Sequence, residues 1–201
     1  MTADDSHLLP SLDCRWQDWL IPIDCQNVTL QSALDSAGHI AAKPEEIPLI
    51  IRLCENPTFE IPGFGFEGAV TLQDHDCIHA LLGRGLLSKD EAFVIGFTMG
   101  STNRISTAQE KIFQWAARYL YPKNYRFDDE DIHIFKDALR LGFISDCQPL
   151  NRVDYQTLTS KTLRDIRSEL GIEVDLLKAY YRIETRRYEK SKASQRLLRA
   201  N

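Results

Sequence analysis

The chain has 201 residues, of which 43% are hydrophobic, and it carries a net charge of −5. This length and composition suit one domain with a single hydrophobic core. The acidic balance and the lack of a recognised module argue against nucleic-acid binding, and no apolar run reaches the about 20 residues that cross a bilayer.

The five cysteines are scattered and include no Cys-x-x-Cys pair, so they indicate neither a disulfide framework nor a zinc ribbon. The first five residues, Met-Thr-Ala-Asp-Asp, are acidic and lack the basic and apolar regions of a signal peptide. We therefore expect a cytoplasmic protein in a reducing environment. Any contact with a membrane is then peripheral, at the inner face.

Helical periodicity dominates the chain, and strand alternations are few. The patterns predict helices over 28–42, 45–54, 71–83, 88–99, 106–120, 129–141, 159–170 and 173 to about 199. In the proline- and glycine-rich segment 56–68, Phe59, Phe64 and Phe66 either pin a loop to the core or roof a substrate cavity. We predict an all-α fold, a single helical bundle-like domain of six to eight helices.

Two histidines in the predicted helix 71–83 stand four residues apart, on one helix face. Thr71 is the expected N-cap of this helix, and Gly83 is the expected end. Side chains at this spacing have Cβ atoms about 5–6 Å apart, so the imidazoles of His75 and His79 can converge on one divalent cation. Cys77 points away from this face and is expected to be a core thiol.

A third ligand is available from the next predicted helix, where Glu91 lies in the first turn after Ser88. In an antiparallel hairpin, Glu91 and His79 stand at the same height, each about one turn from the connection. Ser88-x-x-Glu91 is also a capping box, so the carboxylate can alternatively serve only the backbone.

Asp76 lies at the edge of the ligand face, because one helical residue rotates a side chain by about 100°. It can bind the cation, hydrogen-bond a bound water or orient a histidine ring. As a proton-moving group it is our candidate catalytic residue. The apolar segment 93–99, with Gly96 and Gly100 nearby, is predicted either to wall a pocket or to pack in the core.

The last residues are basic, with a net charge of +5 over 182–201 against −10 for the rest of the chain. We predict a helical metal-binding domain over 1–172 and a basic C-terminal helix over 173–201 that packs on it or extends from it. The basic helix can lie on anionic lipid or on an acidic partner, or it can simply be a solvated helix end.

His-Asp-x-x-His followed by eleven residues and Glu resembles the signature of the ubiquinone (coenzyme Q) biosynthesis protein four family, here from His75 to Glu91. Residues 163–172, Leu-Arg-Asp-Ile-Arg-Ser-Glu-Leu-Gly-Ile, are similar to a helix and glycine turn near that family's C-terminal end. The first seventy residues and the last twenty-five show no such likeness, so the chain would be a divergent member.

The resemblance implies an all-α fold and a zinc-type ion held by His75, Asp76, His79 and Glu91. It also implies work on the head group of a prenylated benzoquinone precursor at a membrane, by oxidative removal of a ring carboxyl group, within a homo-oligomer or biosynthetic complex.

Two other functions stay open at this point. The first is a noncatalytic scaffold that binds a quinone or another isoprenoid lipid. The second is a metal-dependent phosphohydrolase of the His-Asp type, for which His39 and Asp128 would be the further ligands; that hypothesis leaves Glu91 without a role.

Overall fold

A computed structural model describes residues 4–37, 70–104 and 126–198, together with isolated positions between 107 and 118. The predicted helix 45–54, the aromatic loop 56–68 and most of the predicted helix 106–120 lie outside the described residues, as does the end of the predicted helix 28–42.

Seven α-helices and no strand occur in the described part of the chain, which confirms the all-α prediction. The helices are α1 (Leu30–Asp35), α2 (Leu72–Leu82), α3 (Ser88–Ser101), α4 (Asp129–Ile144), α5 (Leu163–Leu170), α6 (Val174–Arg187) and α7 (Lys192–Gln195). Short 3-10 turns lie before α1 at Ser6–Leu8 and between α4 and α5 at Leu150–Arg152 and Tyr155–Leu158.

Side-chain caps set where several helices begin and end. Thr71, Asp128 and Thr162 each accept a hydrogen bond from a backbone amide in the first turn of α2, α4 and α5. Gly83 and Gly171 end α2 and α5 in the left-handed region, with φ of 69° and 71°, a conformation that favours glycine. The predicted start and end of α2 are therefore confirmed.

Helices α3 and α4 approach closely along glycines. A Cβ atom at Gly96 would lie 2.4 Å from the Phe135 carbonyl oxygen, and one at Gly100 would lie 2.1 Å from that of Leu139. From the other side, a Cβ at Gly142 would lie 2.3 Å from the Phe97 carbonyl. The glycines of α3 thus allow α4 to pack closely. Of the two predicted alternatives, a pocket wall or core packing, the structure shows core packing at Gly96 and Gly100.

The C-terminal region differs from the predicted single long helix. Helix α6 ends at Arg187, and the chain turns at the buried Tyr188 before α7 begins. The Gln195 side chain donates to the Thr185 carbonyl oxygen at 2.7 Å, which holds α7 back against the end of α6. The prediction was wrong because polar contacts between these two segments, which periodicity does not reveal, favour the turn.

Several basic side chains of this region form ion pairs with acidic residues of the same chain. Lys192 pairs with Asp18, Arg187 with Asp137 and Arg196 with Asp90. Within the described residues, no helix is long and apolar enough to cross a membrane.

Candidate metal centre

Three ligand side chains meet between α2 and α3. The Nε2 atom of His75 lies 2.9 Å from Nε2 of His79 and 2.9 Å from Oε2 of Glu91. Nε2 of His79 is 3.4 Å from the other oxygen, Oε1, of Glu91. The two imidazoles come from one face of α2, and the carboxylate reaches across the hairpin from the first turn of α3, as the spacing predicts.

The separations fit ligands that share one ion. Two atoms that each bind zinc at about 2.0–2.1 Å in a tetrahedral arrangement lie about 3.3 Å apart. The contacts between the histidine and glutamate atoms lie on either side of that value. The imidazole rings are steeply inclined, with an interplanar angle of 72° and centroids 4.6 Å apart, so they do not stack.

Glu91 is not used as a helix cap. Leu87, not Ser88, is the N-cap residue of α3, and its amide donates to Asp90 at 3.1 Å. The predicted alternative, a capping box between Ser88 and Glu91, is therefore wrong, because Asp90 takes that role and leaves Glu91 free to face the histidines. Burial works against ionisation of Glu91, but the two imidazoles outweigh it and hold the pKa of the carboxyl well below its usual range.

His79 contains one of several buried polar atoms that have no hydrogen-bond partner among the described residues. Its side chain is completely buried, and its Nδ1 atom has no hydrogen-bond partner among the described residues. Buried polar atoms normally have a partner, and those that do not require an explanation. A ligating histidine generally donates its second ring N–H to a partner, so the fit of this donor set to a metal rests on the three converging ligand atoms and their chemistry, and not on Nδ1.

Asp76 stands beside this group without joining it. The described side chains whose ligand atoms all lie within 4.8 Å of one another are His75, His79 and Glu91. The Asp76 side chain is half-buried, and burial raises the pKa of its carboxyl although both imidazoles oppose the shift. Its role as a ligand or proton-moving group stays a prediction.

The end of α2 is held by residues that the sequence did not single out. Arg167 on α5 is buried and donates to the carbonyl oxygens of Leu81 at 2.8 Å and Ala80 at 3.2 Å. Tyr181 on α6 donates to the Leu82 carbonyl. Carbonyls at a helix C-terminus lack intrahelical partners, so these donors fix the turn that follows His79. Burial lowers the pKa of Arg167 to about 10.

Arg167 lies within residues 163–172, the second segment of the resemblance, but the sequence alone predicts no role for it. The structure brings the two resembling segments into direct contact.

Two other expectations concern neighbouring residues. Cys77 is a buried thiol whose pKa burial raises to about 12, as expected for a core position. Asp128 caps α4 by accepting from the Asp131 amide at 2.8 Å, and it is outside the ligand group. His39 lies outside the described residues. The phosphohydrolase hypothesis thus has no support from Asp128.

No protein-family model, curated protein or solved structure matches this chain. The family resemblance of the motif therefore stays a prediction.

Proposed function

We propose that this protein holds one divalent cation through His75, His79 and Glu91 and presents it to an oxygen-bearing ligand. The observation that carries the proposal is the convergence of three ligand atoms from two helices, with contacts of 2.9–3.4 Å. Two of the side chains are buried and the third, Glu91, is 31% exposed.

The three ligands found in the described part of the chain favour an ion that binds something further. Structural zinc sites are generally closed by four protein ligands, whereas catalytic sites use three and keep a position for water or substrate. Two imidazoles and one carboxylate suit zinc, and the same set suits ferrous iron. One carboxylate leaves a divalent ion with net positive charge, so an anionic oxygen, such as a ring carboxylate or phenolate, is the expected guest.

The sequence resemblance extends the proposal to the substrate. We infer that the guest is the head group of a prenylated aromatic ring, bound by peripheral contact with the inner membrane face. A bound ion would polarise the coordinated oxygen. Asp76, half-buried on the same helix as the imidazoles, is the residue that we propose holds or moves a proton there. Holding the ring without chemistry is the second candidate function.

One purified sample tests the ion and the guest together. Protein prepared without chelators is analysed for metals and extracted with organic solvent for mass spectrometry. We expect about one equivalent of zinc or iron in the wild type and an affinity at least about 100-fold weaker in His75→Ala and His79→Ala, a larger loss than the 10–100-fold typical of outer-shell changes. His133→Ala, an exposed histidine on α4, is the matched control and keeps the metal.

The outcomes separate the proposals. A folded wild-type protein that binds neither zinc nor iron on titration contradicts the metal site. Metal without an isoprenoid compound, and no binding of an added prenylated hydroxybenzoate, contradicts the substrate class and leaves the metal site standing.

A further inference from the structure

Arg196, which directly follows α7, reaches the connection between the two ligand-bearing helices. Its side chain is 14% exposed, and its Nη2 atom donates to Oδ2 of Asp90 at 2.5 Å. Its Nη1 atom donates to the Gln17 carbonyl oxygen at 2.8 Å. One guanidinium therefore joins the C-terminal segment, the N-terminal segment and the first turn of α3.

The connection is shaped to receive this guanidinium. A Cβ atom at Gly85 would lie only 2.0 Å from Nη2 of Arg196 and 2.4 Å from the Trp19 carbonyl oxygen. Real Cβ atoms do not come so close, so a residue with a side chain at this position would displace Arg196. The glycine lets the guanidinium lie directly on the backbone between α2 and α3.

Asp90 connects Arg196 to the part of α3 that bears Glu91. The same Oδ2 atom that binds Arg196 also accepts from the Leu87 amide at 3.1 Å, and the next residue in the chain is Glu91. Helical spacing alone fixes His75 relative to His79. The position of Glu91 relative to both depends on the turn and on how α3 is held.

We propose that Arg196 is a positioning residue, which holds the turn between α2 and α3 so that Glu91 meets the two imidazoles. The affinity for the ion then depends on the docking of the C-terminal segment. This inference rests on the proposed metal site. It also gives one basic residue of the C-terminal region an internal role that differs from binding lipid.

The test compares zinc affinity across a set of Arg196 variants, using competition with a chromophoric chelator at a temperature where circular dichroism shows each variant fully folded. Arg196→Met should bind Zn²⁺ about 10-fold more weakly, the lower end of the range for outer-shell changes. Arg196→Lys should recover part of the loss, because it keeps the charge near Asp90 but not the forked contact with Gln17. Arg187→Met is the matched control, since its pair with Asp137 is at the surface, and its affinity should stay within about 2-fold of wild type.

A second variant and a second measurement cover failure to fold. Arg196→Met combined with Asp90→Asn removes both charges and keeps an acceptor for the Leu87 amide, so it should fold and still bind zinc weakly. In the metal-free protein, amides of residues 84–91 should exchange hydrogen faster in Arg196→Met than in wild type, with α5 unchanged.

The results distinguish two failures. Wild-type zinc affinity in the folded Arg196→Met protein overturns the positioning role and leaves the metal site intact. A wild type that binds no zinc contradicts the metal site itself. In that case, the same rate of amide hydrogen exchange over residues 84–91 in Arg196→Met and in wild type would overturn the positioning role independently.

Discussion

Two polar clusters include residues of the α2–α3 hairpin, and they are built differently. In the first, two imidazoles and a carboxylate point their ligand atoms at one another. In the second, Arg84 donates to both carboxylate oxygens of the buried Glu184, at 2.6 and 3.0 Å, and lies 3.8 Å from Asp90. Arg196 binds Asp90 from the other side.

The balance of charge distinguishes a structural network from a candidate metal site. The second cluster contains two cations and two anions, so its charges are balanced within the protein. Aromatic rings enclose it further, with the Arg84 guanidinium 3.8 Å above the centre of Phe93 and 4.4 Å from that of Tyr181. The first cluster instead brings two imidazole nitrogens and a carboxylate to within 2.9–3.4 Å of one another, a donor set that suits a divalent cation.

The largest effect should come from breaking the balanced cluster. Arg84→Met leaves Glu184 charged and buried, and the free energy of unfolding should fall by about 3–5 kcal/mol. Chemical denaturation followed by circular dichroism measures it. Arg140→Met, which removes an arginine side chain that is 74% exposed, should change stability by less than about 1 kcal/mol.

The double variant Arg84→Met with Glu184→Leu sharpens this result, because it removes both charges and should lose less stability than Arg84→Met alone. A single variant that is as stable as the wild type would show that the cluster is not the structural network we describe.

A smaller effect on stability is expected at the candidate metal centre. In metal-free protein, His79→Leu removes an imidazole that bonds His75 at 2.9 Å and lies 3.4 Å from Glu91, so the unfolding free energy should fall by about 1–3 kcal/mol, less than in Arg84→Met. The same substitution should abolish zinc binding. A loss of stability as large as that of Arg84→Met would mean that the histidines are structural, and the contrast between the clusters would disappear.

The sequence predicted the features that depend on local spacing. The caps Thr71 and Gly83, the helical register of His75 and His79, and the hairpin that brings Glu91 to them all follow from short-range rules and agree with the structure. The N-cap of α3 is Leu87 and not the predicted Ser88, and local rules do not select a leucine there because its side chain cannot accept a hydrogen bond.

Features that depend on distant contacts could not be predicted. Arg196 and Asp90 are separated by 106 residues in the chain, and Arg167 meets Leu81 over 86. Periodicity favoured one continuous helix after residue 173 because it does not detect the hydrogen bonds that return α7 to α6. The sequence indicated that Gly96 and Gly100 of α3 allow a close approach, but it did not identify α4 as the helix that packs there.

The central claim is that two imidazoles and one carboxylate bind a common ion, and X-ray absorption at the zinc edge of the loaded protein tests it most directly. We predict a first shell of two imidazole nitrogens and carboxylate oxygen at about 2.0–2.2 Å, with one imidazole fewer in any zinc-loaded His75→Ala protein. A shell of oxygen alone, or one with sulfur at about 2.3 Å, would contradict the account.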